Sequence, residues 1–87
     1  MLGGFSSEQP MDMEVTNMVM TLRPQIQAKL MCTYNIFVPV SFRSQLVAGM
    51  RYQVRIAVDD GKNIFVLIDQ ALPCAGGECT VTEAQLA

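Results

Sequence analysis

Few side chains in this 87-residue sequence could do chemistry, and their spacing matches no catalytic or metal site. Histidine is absent, which removes the commonest general base and the commonest metal ligand. The three cysteines, Cys32, Cys74 and Cys79, therefore have no imidazole to activate them as nucleophiles and make a poor zinc site. The acidic pair Asp59 and Asp60 is typical of a solvated turn. The sequence predicts a protein that is not an enzyme and that uses no metal or cofactor.

Composition and charge narrow the range of partners. Hydrophobic residues make up 51% and charged residues 16% of the chain, which argues against disorder. The net charge of −2 gives no basic surface for nucleic acid, and no apolar run is long enough to span a membrane. Residues 1–8 lack the basic and apolar regions of a secretory signal, so we expect a cytoplasmic protein with free thiols. In an oxidising compartment Cys74 could instead pair with Cys79.

An extended arm and one helix are expected in the first third of the chain. Residues 1–11 contain Gly-Gly and Ser-Ser pairs and Pro10, which discourage regular structure. From Asp12 to about Met31 apolar residues recur every three or four positions, and Asp12 is a candidate N-cap. Pro24 permits one kinked helix or two short ones, and the apolar stripe keeps its phase across the proline, which favours one. The residues of the stripe are Val15, Met18, Val19, Leu22, Ile26 and Leu30.

Two strands with alternating apolar and polar residues follow the helix. The even-numbered residues over 36–42 and 50–58 are apolar or aromatic, so both sets are expected to face the core. Residues that face each other must lie on the same side of the sheet. This condition gives three expected pairs: Phe42 with Tyr52, Val40 with Val54, and Ser44 with Met50. The register leaves residues 45–49 as a five-residue loop.

Two further strands complete the predicted sheet. A polar turn over residues 59–63 leads into a strand from Ile64 to Ala71, which ends at a Leu-Pro pair. A turn at residues 74–77 then precedes a short strand at about residues 79–82. One helix followed by four strands predicts a single α+β domain over residues 1–87, with the helix packed across a four- to five-stranded antiparallel sheet.

The loop at residues 45–49 is unusually apolar for a hairpin tip, because Leu46, Val47 and Ala48 would face water. Alternate turns of an up-and-down sheet lie at the same end, so the pair Leu72 and Pro73 is expected beside this loop. The arm that enters the helix can reach the same end. Three apolar or glycine-rich tips on one edge would form a wedge, and a wedge suits a cleft such as that of a protease.

Several motifs, in this order along the chain, resemble the type 1 cystatins, or stefins, which are intracellular inhibitors of papain-like cysteine proteases. The Gly-Gly pair at residues 3–4 resembles the N-terminal glycine of the family, and residues 45–49 resemble its Gln-x-Val-x-Gly loop. The Leu-Pro pair at residues 72–73 resembles that of the second hairpin. Residues 23–26, Arg-Pro-Gln-Ile, and residues 40–44, Val-Ser-Phe-Arg-Ser, are similar to the family's helix and first strand. The resemblance runs from about residue 2 to residue 82.

This resemblance implies the cystatin fold and a tight, reversible, competitive inhibitor that blocks the protease cleft. Leu2 would be an apolar anchor, and Gly4 would let the backbone pass the catalytic cysteine without a Cβ. The first loop would press into the primed side, Gly49 would permit the return into the next strand, and the Leu-Pro pair would add a third contact. The protease-binding residues that the resemblance implies are Leu2, Gly3, Gly4, Gln45, Leu46, Val47, Ala48, Gly49, Leu72 and Pro73.

A second interpretation starts from Phe65 and Leu67, which are expected to point outward on a face that the family usually keeps polar. An apolar strand face would suit a cystatin-like scaffold used for non-inhibitory binding or self-association. The expected state is a monomer. Because a β-branched residue in a tight tip is expected to be strained, opening the hairpin at Val47 would allow a domain-swapped dimer. In that dimer residues 36–58 would form one long strand.

Overall fold

The computed structural model describes residues 4–87, apart from the side chain of Ala75. A short strand β1 (Gln9–Pro10) precedes helix α1 (Met13–Leu30), which is followed by four longer strands. These are β2 (Phe37–Val47), β3 (Gly49–Val58), β4 (Asn63–Ala71) and β5 (Cys79–Leu86). The strands form one five-stranded sheet in the order β1-β2-β3-β4-β5, and every neighbouring pair is antiparallel. The α+β architecture expected from the sequence is confirmed.

Helix α1 runs through Pro24 without interruption, as the unbroken apolar stripe predicts. Asp12 is the N-cap: its carboxylate accepts a hydrogen bond from the Val15 backbone N–H at 2.8 Å. The helix ends at Met31, which adopts the left-handed conformation with φ 53°. Pro24 lies on the exposed side, where water can hydrate the carbonyl of Met20 that the proline leaves without a donor. One helix, rather than two, is therefore what the sequence forms.

The core lies between this helix and one face of the sheet. Of the stripe, Val15, Val19, Leu22 and Ile26 are buried, and Met18 and Leu30 are partly buried against them. The even-numbered residues of β3 and β4 face the helix, as predicted, because a half-buried strand alternates with a period of two. The sheet and loop residues of the core are Tyr34, Phe37, Phe42, Tyr52, Val54, Ile56, Val58, Ile64, Val66, Ile68 and Val81. Phe65 and Leu67 lie on the outer face and are half-buried.

The predicted orientation of β2 is wrong in its first half. Phe37 is buried there, whereas Val38 and Val40 are exposed. The cause is a β-bulge between Pro39 and Ser41, which inserts one extra residue and reverses the faces beyond it. Sequence alternation cannot reveal the bulge, because every second residue from 36 to 42 is apolar whichever face it occupies.

The register of the first hairpin also differs from the prediction, because its turn is tighter than the expected five-residue loop. Phe42 pairs with Val54 instead of Tyr52, and Ser44 pairs with Tyr52 instead of Met50. Phe42 and Tyr52 still meet as diagonal neighbours, with their rings edge to face at a centroid separation of 5.9 Å. Val40 is the bulged residue and therefore does not pair with Val54 as predicted. The pairs from Ser41 to the tip fit a turn centred on Ala48, so the two strands run further toward the tip than the predicted loop allows.

The two ends of the sheet differ from the sequence prediction. The expected short strand near residue 80 extends over Cys79–Leu86, because it pairs along β4 as far as Ile64. At the other edge the arm is not wholly irregular, since Gln9 pairs with Phe42 in β2. Cys32, Cys74 and Cys79 are free thiols, so Cys74 and Cys79 are not joined. Among residues 4–87, no helix combines the length and hydropathy needed to cross a bilayer.

Candidate functional site

The first hairpin tip is tighter than the predicted five-residue loop. Strand β2 continues to Val47 and β3 begins at Gly49, so only Ala48 lies between the two strands. Leu46 is 75% exposed and Val47 is 41% exposed, and Gln45 is half-buried opposite Arg51. The tip therefore presents two bulky apolar side chains to solvent.

Gly49 makes this tight return possible. Its φ is +126°, a conformation that side chains disfavour, and an added Cβ would collide with the backbone oxygen of Gln70. The positive φ at the tip falls on this glycine, not on Val47, which was expected to carry the strain. Only glycine meets both the dihedral and the space requirement at this position.

The second tip lies directly beside the first. Gly49 pairs with Ala71, the last residue of β4, and Leu72 follows at once. Leu72 is 44% exposed, and Pro73 is exposed at the start of a short 3₁₀ turn. The Leu72 carbonyl accepts a hydrogen bond from Gly77 N–H at 3.0 Å, which closes the loop. The two apolar tips are thus held side by side by backbone pairing.

The N-terminal arm runs toward the same end of the sheet. Ser6 N–H donates to the Ser44 carbonyl at 2.8 Å, and Ser44 N–H donates back to the Ser6 Oγ at 3.0 Å. Because the arm is antiparallel to β2, the chain at Phe5 and Gly4 runs toward the Val47 end of that strand. Gly4 is exposed. Leu2 and Gly3, which the sequence also predicted to bind, lie outside the described residues.

An ion pair that the sequence analysis missed stands below the two tips. Arg51 Nε donates to Asp69 Oδ1 at 2.7 Å, and Arg51 Nη2 donates to Asp69 Oδ2 at 3.2 Å. The two residues are directly opposite on β3 and β4. The hydrogen bond to Asp69, together with its negative charge, raises the pKa of Arg51 above its ordinary value. The ion pair could have been predicted if the sequence analysis had paired Val54 with Val66, because that register places Arg51 opposite Asp69.

The chemistry of this end of the molecule is that of a contact surface. Both tips expose aliphatic side chains, and Glu78 is an exposed carboxylate in the second loop. Cys74, in the same loop, is an exposed free thiol. Among residues 4–87 no group of three or more Cys, Asp or Glu side chains stands close enough to hold a metal ion. Cys79, in β5, is half-buried, and burial raises the pKa of its thiol. The apolar surface of the two tips can therefore bind a partner by losing its water and forming apolar contacts.

Comparison with known proteins agrees with this geometry. No family model matches the chain. The sequence is 30% identical to Cystatin-A of Felis catus over 83 residues, which cover 95% of this chain and 85% of that protein. It is 31% identical to Stefin-C of Bos taurus over 84 residues, 97% of this chain and 83% of the relative. It is 30% identical to Leukocyte cysteine proteinase inhibitor 1 of Sus scrofa over 71 residues, 82% of this chain and 69% of the relative.

These alignments run along nearly the whole sequence and therefore include the helix and both hairpins. A relative at 31% identity with 97% coverage of this chain leaves no segment that would need a different fold. Cystatins are inhibitors and not enzymes, which agrees with the absence of histidine. The chain belongs to the type 1 cystatin, or stefin, family of cysteine protease inhibitors.

Proposed function

We propose that this protein is a reversible, competitive inhibitor of papain-like cysteine proteases. The observation that carries the proposal is the pairing of Gly49 with Ala71, which sets two exposed apolar tips side by side at the end toward which the arm runs. The name of the porcine relative, a cysteine proteinase inhibitor, supports the same class of target. A convex apolar edge of this kind complements a protease cleft in shape and in polarity.

Each part of the edge has a proposed role. The arm lies along the non-primed side, with Leu2 as its apolar anchor and Gly3 and Gly4 passing the catalytic cysteine. At Gly4 the missing Cβ allows close approach and a turn away from the geometry of a substrate. The arm therefore fills the cleft without presenting a bond for cleavage.

The two tips supply the remaining contacts. Gln45, Leu46, Val47 and Ala48 occupy the primed side, where the exposed apolar surface loses its water. Gly49 holds the return of the hairpin, and the second tip adds the contact of Leu72 and Pro73. Because backbone pairing holds both tips in the free protein, little conformational freedom is lost on binding.

Titration of active papain with the purified chain tests the proposal. The expected result is a linear loss of activity to a stoichiometric end point, relief of inhibition by excess substrate, and recovery of an uncleaved chain after dissociation. No inhibition at micromolar concentration would instead favour the second interpretation, a cystatin-like scaffold with a non-inhibitory partner. The half-buried Phe65 and Leu67 offer less apolar surface for such a partner than a fully exposed pair.

The variant Gly4→Arg tests the arm. A long side chain at the point of closest approach should clash with the protease and weaken inhibition by more than tenfold, while the fold stays intact because Gly4 is exposed. The matched control is Gln85→Arg, which adds the same charge at an exposed position of β5. Equal inhibition by the two variants would remove the arm from the proposed interface.

A further inference from the structure

A carboxylate on the arm is tied to the outer face of the sheet. Glu8 Oε2 accepts a hydrogen bond from Ser41 Oγ and forms an ion pair with Arg55 Nη2 at 3.2 Å. Ser41 is buried on β2, and Arg55 lies directly opposite it on β3. One side chain of the arm is thus bonded to two neighbouring strands.

The backbone pairing of the arm is short. Strand β1 has two residues, and Pro10, one of the two, has no N–H to donate. Two-residue pairings contribute little to stability by themselves, since isolated strand pairs are marginal in water. Side-chain contacts must therefore supply much of what holds the arm against β2.

Glu8 stands between this pairing and the free end of the arm. Ser6, which is bonded to Ser44, lies two residues before Glu8 in the sequence, and Gly4 lies two residues before Ser6. If Glu8 were released, the arm before Gln9 would be held to β2 by the Ser6 bonds to Ser44. The direction in which Gly4 leaves the sheet depends on these contacts together.

The surroundings of Glu8 favour its charged form. Arg43 and Arg55 are the charged residues that line a cavity of about 160 Å³ beside it, with Gln53 and Phe65 on the adjoining strands. The hydrogen bond from Ser41 lowers the pKa of Glu8, and the positive charges of Arg55 and Arg43 lower it further. Within residues 4–87, Glu8 is the carboxylate that pairs with Arg55, whose Nε is buried without a hydrogen-bond partner.

We propose that Glu8 is a positioning residue for inhibition: by bonding Ser41 and Arg55 it holds the arm along β2, so that Gly4 is directed toward the protease cleft before binding. The inference rests on the proposed function. A segment that is ordered in the free protein loses less freedom on binding, which strengthens the complex without any contact between Glu8 and the protease.

The test measures inhibition of papain by the full chain and by its variants Glu8→Gln and Glu83→Gln. The same measurement is made on a shortened chain that lacks residues 1–4, with and without Glu8→Gln. Glu83 is the matched control, because it is an exposed carboxylate on the outer face that lies opposite Leu67 rather than on the arm. We expect Glu8→Gln to weaken inhibition about three- to tenfold in the full chain. We expect Glu83→Gln to have no effect, and Glu8→Gln to have none in the shortened chain.

A second measurement reports on the arm without any protease. The backbone ¹⁵N heteronuclear NOE of Phe5 and Ser6 should fall in Glu8→Gln and stay unchanged in Glu83→Gln, whereas helix α1 should be unaffected in both. Arg55→Lys retains the positive charge and should restrain the arm better than Arg55→Gln.

The outcomes separate the two proposals. Equal weakening by Glu8→Gln in the full and shortened chains would overturn the positioning role, since Glu8 would then act on the fold. An unchanged inhibition constant together with an unchanged NOE would overturn it as well. If the unchanged chain does not inhibit papain, the proposed function fails, and the NOE still decides whether Glu8 orders the arm.

Discussion

At the scale of single residues, Gly49 is the position where the backbone conformation and the neighbouring strand both require glycine. Its φ of +126° and the collision of any Cβ with the Gln70 backbone oxygen both exclude a side chain. We expect Gly49→Ala to lower the free energy of unfolding by about 2–4 kcal/mol, measured by urea denaturation.

The control for that substitution is Gly61→Ala. Gly61 also has a positive φ, +69°, but nothing lies within 4 Å of its Cβ position. This variant should cost only the dihedral penalty, about 1 kcal/mol. Similar losses at the two positions would show that close approach of β4 contributes nothing at Gly49.

The thiols provide a second prediction at the residue scale. Cys74 is exposed in the second tip, whereas Cys79 is half-buried and burial raises the pKa of its thiol. Because the thiolate is the reactive form, a raised pKa lowers the thiolate fraction at a given pH. Iodoacetamide at pH 8 should therefore alkylate Cys74 faster than Cys79, as peptide mass spectrometry over time would record. Faster reaction at Cys79 would contradict the burial of its side chain.

At the scale of elements, the first hairpin tip is predicted to bind by desolvation. Replacing Leu46 and Val47 with alanine removes apolar area of the order of 80 Å² that only the complex buries. At about 25 cal/mol per Å² the loss is roughly 2 kcal/mol, or about thirtyfold in affinity. The change should appear mainly in the dissociation rate and should not depend on salt, since no charge is altered. Stopped-flow inhibition at two ionic strengths measures both properties.

The control for this experiment lies at the other end of the first hairpin. Ile36 and Val38 are also aliphatic and exposed, 53% and 54% respectively, but they lie at the opposite end of the first hairpin. Alanine at both should leave inhibition of papain unchanged. Leu72→Ala, in the second tip, should weaken binding less than the pair at Leu46 and Val47. A steep salt dependence of the tip variant would mean that charge, not apolar contact, drives binding.

At the scale of the whole molecule, the sheet permits two chains to exchange parts. Opening the first hairpin would join β2 and β3 into one strand and preserve the pairing of both with their neighbours through a second copy. Because the positive φ at the tip falls on Gly49, which adopts it without steric cost, release of dihedral strain does not drive the exchange. We expect a dimer after partial denaturation and refolding at high concentration, resolved by size-exclusion chromatography.

That dimer should not inhibit papain, because Leu46 and Val47 would lie within a continuous strand instead of at a tip. A fraction that elutes as a dimer yet inhibits with full stoichiometry would show that the first hairpin stays closed in it. Recovery of monomer alone would contradict the exchange itself.

The sequence by itself determined the local structure wherever one physical requirement governs a whole segment. The apolar stripe and the cap at Asp12 sufficed for α1, because a helix satisfies its hydrogen bonds within the segment. Alternation sufficed for β3, and an apolar run bounded by turns sufficed for β4; both strands pair on both sides and bury one face. The order of the arm, the first loop and the Leu-Pro pair was enough to predict the family, because family recognition depends on motifs and not on strand register.

Only the tertiary structure decided the register of β2 and everything that depends on it. The alternation of apolar residues does not reveal the bulge after Pro39, and the one-residue tip at Ala48 sets which side chains meet across the first hairpin. Glu8 and Ser41 are 33 positions apart, and Arg51 and Asp69 are 18 apart, so no spacing rule joins them. These contacts exist because backbone hydrogen bonding aligns distant strands, and that alignment is a property of the whole sheet.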